Sequence, residues 1–359
     1  MKLSNLVFIV SDACNFNCSY CLQKKKNIHM KPSTIKKAVP FFYSFLEEKA
    51  KIIFYGGEPL LAFDNIKYTV SLFQEKDRKG KKNLKFSITT NGSLINDEIL
   101  DFFNLHCFFV LLSFDGTQQD ITRKPGTLVP TRELIKRIRG GAYPGIQLAT
   151  NSVFIPGAIG GLSGALRDII RCGVTEIEFS LDETQPWDET ALITLEKELE
   201  GLREFLVRYY KENGIIPVVE FRPPKSPPKE GFLCSAGQDR MVITPKENVW
   251  GCLHFHAYLE DKEGSDEFRS YSFGGVDDFI KNYDTVYPRV LSTYSNLRQD
   301  FFFTDKQYCF LCSHVDQCKI CPVYAAHRTS FIGKIPPWMC DLKRILRKEK
   351  QKFFNEIKA

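Results

Sequence analysis

The chain has 359 residues, 43% of them hydrophobic and 26% charged, with 49 Lys and Arg against 43 Asp and Glu. This excludes a largely disordered chain and allows a sizeable core without disulfide staples; the net charge of only +6 singles out neither nucleic acid nor an acidic substrate as partner. The longest apolar runs, such as 6–10 and 108–112, fall far short of the roughly 20 residues needed to cross a bilayer. The run after the first residues is too brief for a signal-peptide core. A cytoplasmic location with no membrane partner is expected. Thiols stay reduced there, so the 12 cysteines point to metal rather than to disulfides.

In chain order, nearly continuous apolar runs at 6–10, 51–55, 84–90, 108–114, 146–154, 176–181 and 216–221 predict strands covered on both faces. Amphipathic stretches at 33–49, 65–76, 97–103, 130–139, 158–171 and 188–213 predict the helices between them. Asn96 or Asp97, Thr131 and Asp188 are the expected N-caps. Such alternation means βαβ units around a parallel sheet. Six repeats are too few for a closed eightfold barrel. The expected fold class is α/β, a partial (β/α)6 TIM-like barrel over residues 1–222. A Pro-rich linker is expected at 223–233, a Cys-rich domain at 234–340 and a basic amphipathic helix within 341–359, packed through Leu342, Ile345, Leu346 and Phe353.

Two groups of cysteines carry the chemistry. Cys14, Cys18 and Cys21 are spaced CxxxCxxC directly after the first strand, where barrel sites are built. Three thiolates on one tight loop suit three irons of a 4Fe–4S cluster and leave the fourth iron open to a substrate or cofactor. A zinc knuckle, or three unrelated thiols, is the alternative. Beyond residue 223 come Cys234, Cys252, Cys309, Cys312, Cys318, Cys321 and Cys340. The CxxC, five residues, CxxC core would alone fit a zinc ribbon, but seven thiols do not close two zinc sites, which need eight ligands. Cys107 and Cys172 are expected to be small core residues.

The Cys14 loop resembles that of the radical S-adenosylmethionine (SAM, AdoMet) superfamily, including an aromatic, Tyr20, before the last cysteine. Further elements follow in the family's order, each at a strand's C-terminal end. Gly56, Gly57, Glu58 and Pro59 resemble the GGEP motif that contacts the SAM amino group. Asn91, Ser113, Asn151 and Ser180 follow on the next strands. Residues 119–123 resemble an HDxxR element with Gln119 in place of His, which makes Arg123 the candidate for the SAM carboxylate. The resemblance implies SAM bound on the open iron and cleaved to a 5′-deoxyadenosyl radical. No catalytic residue is identified beyond Asp115, a weak candidate.

The second group resembles the SPASM extension, which holds two auxiliary clusters. The resemblance assigns Cys309, Cys312, Cys318 and Cys340 to an outer cluster and Cys234, Cys252 and Cys321 to an inner one, three 4Fe–4S clusters in all. The cysteine that fully ligated relatives carry shortly before the position of Cys234 is missing. This implies an open iron on the inner cluster, or completion by His254, His256 or another side chain. Anaerobic sulfatase-maturating enzymes, which share this architecture, carry a basic Asp directly after the cysteine matching Cys252; here it is Leu253.

The resemblance implies an oxidoreductase that modifies a ribosomal peptide, forming a thioether or carbon–carbon crosslink. A sulfatase-type protein maturase, a small-molecule dehydrogenase, and lastly a non-catalytic iron–sulfur or zinc protein are the alternatives. The expected partners are a peptide or protein substrate, an electron donor such as flavodoxin or ferredoxin, and a separate leader-peptide-binding protein. The run Lys24, Lys25 and Lys26 could attract an acidic leader, or be a solvated charge run. No Arg-rich helix or aromatic-interleaved basic patch supports nucleic-acid binding.

Overall fold

The computed structural model describes residues 1–224, 234–298, 301–318 and 320–358. Six parallel strands lie side by side in chain order: β1 (Leu3–Ser11), β2 (Leu46–Gly56), β3 (Asn83–Thr90), β4 (Phe109–Ser113), β5 (Gln147–Phe154) and β6 (Ile177–Leu181). Between them run α1 (Pro32–Tyr43), α2 (Phe63–Lys76), α3 (Asp97–Leu105), the short α4 (Gln119–Thr122) with α5 (Leu128–Arg137), and α6 (Leu162–Arg171); α7 (Glu189–Asn213) follows β6. A strand order that never reverses puts every crossover on the same side of the sheet, as in a barrel and unlike a doubly wound sheet. The side chains of Leu6, Val7, Phe8, Ile9 and Val10 are all buried, because β1 is paired on both edges and covered on both faces.

The sheet does not stop at the sixth strand. From the Cys-rich region, β7 (Arg240–Ile243) joins β1 in parallel, with Asn5 opposite Arg240 and Phe8 opposite Ile243. The strands β8 (Asn248–Trp250) and β9 (Ser272–Gly275) continue it antiparallel. The sequence reading found none of the three, because each is only three or four residues long. Around them stand α8 (Leu253–Leu259), α9 (Asp266–Tyr271), α10 (Val276–Lys281), α11 (Tyr283–Ser295), α12 (Pro322–Thr329) and α13 (Pro337–Lys358). The main core runs without a break from β1–β4 to Trp250, Phe273 and Tyr294. A second core lies among α6, α7 and α13. There Arg203 of α7 donates through Nε to Glu349 Oε2 of α13 (2.9 Å) and also pairs with Glu356. A third, small core of Phe302, Ile320, Ala325, Ile335 and Met339 backs Cys309, Cys318 and Cys340.

Several expectations need correction. The helix expected at 33–49 ends at Tyr43, and residues from Leu46 on belong to β2, where Leu46 pairs with Leu3. Pairing with β1 overrides the helical preference of Glu47, Glu48 and Lys49. The strand expected at 216–221 is a single bridge from Val218 to Ile177, followed by a 3-10 turn (Val219–Phe221). The carboxylate of Glu220 takes the Phe179 N–H (3.0 Å) that another strand would have used. Thr131 lies inside α5, its Oγ1 donating to Thr127 O (2.7 Å). Asn96 and Asp188 do cap their helices, accepting from Ile99 N (3.0 Å) and Ala191 N (2.8 Å). Cys107 is exposed at φ 51° in the turn before β4 instead of being a core residue, and Cys172 is half-buried at the end of α6. The helix expected within 341–359 starts earlier, at Pro337, and so carries Cys340. From residue 225 on, the Pro-rich linker lies outside the described residues.

Candidate functional site

The loop between β1 and α1 is pinned from several sides. Its backbone is bonded to β1 at Met30 N–Val10 O (2.9 Å), and Ser19 N donates to Thr122 O (2.9 Å). Lys25 Nζ donates to Phe16 O (2.6 Å) and Asn17 Oδ1 (2.8 Å) inside the loop. Lys24 and Lys26 both pair with Asp261. The three lysines are therefore engaged with the protein itself. Tyr20 reaches across to β4: its hydroxyl donates to Asp115 Oδ2 (2.9 Å), and its ring lies 5.4 Å from the Arg123 guanidinium.

The glycines at the end of β2 lock this loop to the sheet. Gly57 N donates to Ser11 O (2.9 Å) and Glu58 N to Ala13 O (2.8 Å). A Cβ on Gly56, which sits at φ 150°, would stand 2.1 Å from Ser11 O; one on Gly57 would stand 2.4 Å from Ala13 O. Only bare backbone fits there.

Glu58 is placed otherwise than its motif suggested. It is fully buried and does not line the cavity. Its carboxylate accepts from Leu60 N (3.1 Å), Thr90 Oγ1 (2.7 Å) and Asn91 N (2.8 Å), so it braces the end of β3. Burial pushes it up to about 7, against the lowering effect of those donors. Pro59 opens a 3-10 turn (Pro59–Ala62) and is buried away from the cavity too. Asp115 also lies outside the cavity lining and is fully buried. It accepts from Tyr20, from Thr122 Oγ1 (2.6 Å), from Val153 N (3.0 Å) and from Arg123 Nη2 (2.8 Å). With every oxygen engaged it is an organiser of the site and has no lone pair left for a substrate.

A cavity of about 530 Å³ opens at the C-terminal ends of the strands. Cys14, Cys18 and Cys21 line it, together with Gly56, Gly57, Asn91, Ser113, Arg123, Asn151 and Ser180. Arg123 shares Nη2 between Asp115 and Asn151 O (3.0 Å), while its Nε is buried without a partner. Burial works against its charge, but Asp115 beside it more than offsets this and holds it protonated. The opposite wall comes from the C-terminal region: Leu253, His254, Cys321, Tyr324 and Lys343. The His254 ring meets that of Tyr324 at 4.4 Å, edge to face, and burial lowers the imidazole to about 4, so it is neutral. Lys343 pairs with Glu183, whose backbone carbonyl accepts from Trp338 Nε1 (3.2 Å). His256 lies elsewhere, buried between Asp12 and Glu260. Sequence reasoning named neither Tyr324 nor Lys343. Tyr324 stands three residues after Cys321 at the start of α12, a helical spacing that could have flagged it.

The ten candidate ligand thiols fall into three sets whose members act on one another electrostatically. These are Cys14 with Cys18 and Cys21; Cys234 with Cys252 and Cys321; and Cys309 with Cys312, Cys318 and Cys340. Burial raises Cys14, Cys18, Cys252 and Cys318, and lifts Cys234 and Cys340 to about 11 and Cys309 and Cys321 to about 12, so these eight stand as thiols and would release protons on binding a metal. Among the described residues no three His, Cys, Asp or Glu side chains converge as a single bound ion would require. The donor chemistry fits an iron–sulfur group on the loop: three soft thiols on one side, and on the other a rim of small polar groups and a guanidinium suited to an amino-acid moiety.

A parallel barrel with a three-thiol loop after its first strand and a continuous polar cradle along the strand ends defines the class. The sequence profile of the radical SAM superfamily matches residues 8–160, and the chain belongs to that superfamily. An uncharacterised protein, MJ0907, of Methanocaldococcus jannaschii is 30% identical over 215 residues, 58% of this chain and 72% of that protein. A cysteine-type anaerobic sulfatase-maturating enzyme of Clostridium novyi is 30% identical over 126 residues, 33% of this chain and 34% of its own length. The chain thus spans only about a third of that curated relative. Among solved structures, native anSMEcpe with bound AdoMet and Kp18Cys peptide superposes with a TM-score of 0.75 at 16% identity, covering 100% of this chain and 99% of that one. Streptococcus suis SuiB bound to precursor peptide SuiA gives 0.58 at 15% identity, covering 90% and 72%. The fold is therefore the radical SAM/SPASM fold over the whole chain. No helix among the described residues is long and apolar enough to cross a membrane.

Proposed function

We propose that this protein is a radical SAM peptide maturase that oxidatively modifies a ribosomally made peptide, forming a thioether or carbon–carbon crosslink. One observation carries the reading: a single cavity is lined on one side by Cys14, Cys18 and Cys21 and on the other by Cys321, a member of the second thiol set. With a 4Fe–4S cluster on the loop thiols and AdoMet beside it, reductive cleavage of AdoMet would supply a 5′-deoxyadenosyl radical able to take hydrogen from an unactivated carbon. Asn91, Ser113, Arg123, Asn151 and Ser180 would hold AdoMet, and Gly56 and Gly57 would keep the loop seated on β2. Cys234, Cys252 and Cys321 would hold an inner auxiliary cluster next to the substrate. Cys309, Cys312, Cys318 and Cys340 would hold an outer one.

Leu253, His254 and Tyr324 would face the substrate across the cavity. The neutral His254 imidazole offers an acceptor on this wall, while Leu253 offers none, which sets the site apart from the Asp-bearing sulfatase maturases. The solved relatives carry peptides, Kp18Cys and SuiA, which supports a peptide as the substrate here. The test is anaerobic: dithionite-reduced, reconstituted protein should convert AdoMet to 5′-deoxyadenosine, and co-expression with a short peptide encoded beside its gene should shift that peptide's mass by −2 Da per crosslink, the mass of about two hydrogens. Zinc without iron after reconstitution would count decisively against the reading.

A further inference from the structure

The described residues from Phe302 to Cys318 hold no helix or strand longer than three residues; the regular pieces are the 3-10 turns Cys309–Leu311 and Val315–Gln317. Behind them lies only the small third core of Phe302, Ile320, Ala325, Ile335 and Met339. The cysteines beside that core are free thiols, so no disulfide staples it. Phe303 ties the segment to the stretch before α13: its N–H donates to Gly333 O (3.0 Å), and its carbonyl accepts from Ile335 N (2.7 Å). A unit of this size, below about 40 residues, rarely folds on such a core without a metal or a disulfide. The free energy of binding at its thiols is then folding free energy.

The helix α13 carries that dependence into the cavity. Its first two turns hold three groups with different partners. Cys340 belongs to the outer thiols and lies against the third core. Trp338 packs on the second and third cores together and donates through Nε1 to Glu183 O (3.2 Å). Lys343, three residues beyond Cys340 and within electrostatic reach of Cys318, lines the cavity and pairs with Glu183. Glu183 stands in the turn that ends β6, where the Asp182 carboxylate accepts from Thr184 N (3.0 Å) and Gln185 Nε2 (2.7 Å). The far half of α13 is anchored independently: Arg203 holds Glu349 and Glu356, and the Phe353 ring meets that of Phe221 at 5.4 Å. One end of the helix is thus fixed on the barrel, while the end that meets Glu183 has the outer thiols behind it.

We propose that the outer thiols form a strut for the substrate wall: a cluster held by Cys309, Cys312, Cys318 and Cys340 fixes the first two turns of α13, and so sets Trp338 and Lys343 against Glu183 at the cavity. The inference rests on the reading above that these four thiols hold a cluster. It gives the outer set a task that involves no electron, the geometry of the cavity wall opposite the Cys14 loop. Lys343 is then a positioning residue, through which the Glu183 carboxylate is oriented at the cavity. The far half of α13 has its own anchors, so the effect of the cluster stays local.

Hydrogen exchange read by mass spectrometry tests this without AdoMet or peptide. Anaerobically reconstituted wild type is compared with C309S/C312S, which leaves α13 itself untouched. The variant should hold less iron. Its amides at 338–344 should exchange about tenfold faster or more, and Lys343 should react faster with an amine-labelling reagent, while β1 and residues 349–357 keep wild-type rates. Cys172→Ser, a thiol outside all three sets, should behave as wild type. Lys343→Met should keep the iron and the slow exchange of 338–341 and speed exchange only at 182–185; Lys343→Arg should restore it. Equal iron in wild type and C309S/C312S would overturn the inference, because the four thiols would then hold no cluster. Less iron with unchanged exchange and labelling at 338–344 would overturn it as well. Acceleration spread evenly over β1 and 349–357 would do the same, since the cluster would then support the whole fold instead of one helix end. Loss of iron in Lys343→Met would reverse cause and effect and overturn it too. Failure of reconstituted wild type to cleave AdoMet would sink the functional reading and leave these comparisons standing.

Discussion

The hydroxyl of Tyr20 donates to Asp115 Oδ2 at 2.9 Å, although the two residues are 95 positions apart. The bond ties the three-cysteine loop to the end of β4. The same carboxylate holds Arg123 at the cavity, so one buried group sets the position of both.

Removing that carboxylate's charge should therefore be costly. Asp115→Asn leaves the Arg123 guanidinium buried without its counter-ion, and the expected loss is about 3–5 kcal/mol. Tyr20→Phe removes one charge-assisted hydrogen bond and should cost about 1.5–3 kcal/mol. Urea unfolding of the metal-free protein checks both. A smaller loss for Asp115→Asn than for Tyr20→Phe would reverse the assigned order.

Glu58 predicts a pH dependence. Its folded pKa, about 7, lies above the unfolded value of 4.5, so the folded state holds a proton that the unfolded state has released. Stability from this group is greatest below about pH 4.5 and falls as pH rises through 7, by about 3 kcal/mol. Glu220, also raised to about 7 by burial, acts in the same window and in the same direction. Glu58→Gln should remove its share of the slope between pH 4.5 and 7 and leave that of Glu220. An unaltered slope in urea midpoints across this range would refute the burial argument.

Backbone contact at the end of β2 leaves no room for a side chain. Gly56→Ala puts a carbon against Ser11 O at 2.1 Å and Gly57→Ala one against Ala13 O at 2.4 Å. Either should displace the cysteine loop, cost ~3 kcal/mol or more, and sharply lower the iron bound after reconstitution. Gly80→Ala, with nothing within 4 Å, should keep the iron and lose only about 1 kcal/mol through its φ of +60°. Iron analysis with thermal melts distinguishes the two cases.

Arg203 is the tie between α7 and α13. Its partners Glu349 and Glu356 lie on the last turns of the chain, and Glu349 is fully buried. Arg203→Ala leaves the buried Glu349 with Lys352 as its remaining partner (2.7 Å), should cost about 1.5–3 kcal/mol, and should make α13 the first site of limited proteolysis. The double change Arg203→Met with Glu349→Leu should recover most of that loss. Recovery of neither stability nor protease resistance would mean that the cost of Arg203→Ala does not come from a buried charge left without its counter-ion.

The strands β1–β6, the crossover helices and the CxxxCxxC loop were legible because each is a local property. Alternation, capping and thiol spacing all act within a few residues, and two of the three expected caps stand where they were placed. Position along each strand further brought Gly56, Gly57, Asn91, Ser113, Asn151 and Ser180 to one cavity, and the short α4 brought Arg123 there. Glu58, Pro59 and Asp115 share the same motifs yet turn away from it. Residue type does not say which way a side chain points once a buried partner competes for it.

What the tertiary structure alone decided lies at long range. The β7–β1 pairing joins residues more than two hundred positions apart, and the wall facing the loop thiols is made by Leu253, His254, Cys321, Tyr324 and Lys343. These meetings depend on the stacking of whole elements, where hydrophobic burial fixes the distance and buried hydrogen bonds fix the orientation. No periodicity within a single segment encodes them. The amino-acid order determined the chemistry available to the protein; packing determined which groups face one another across the cavity.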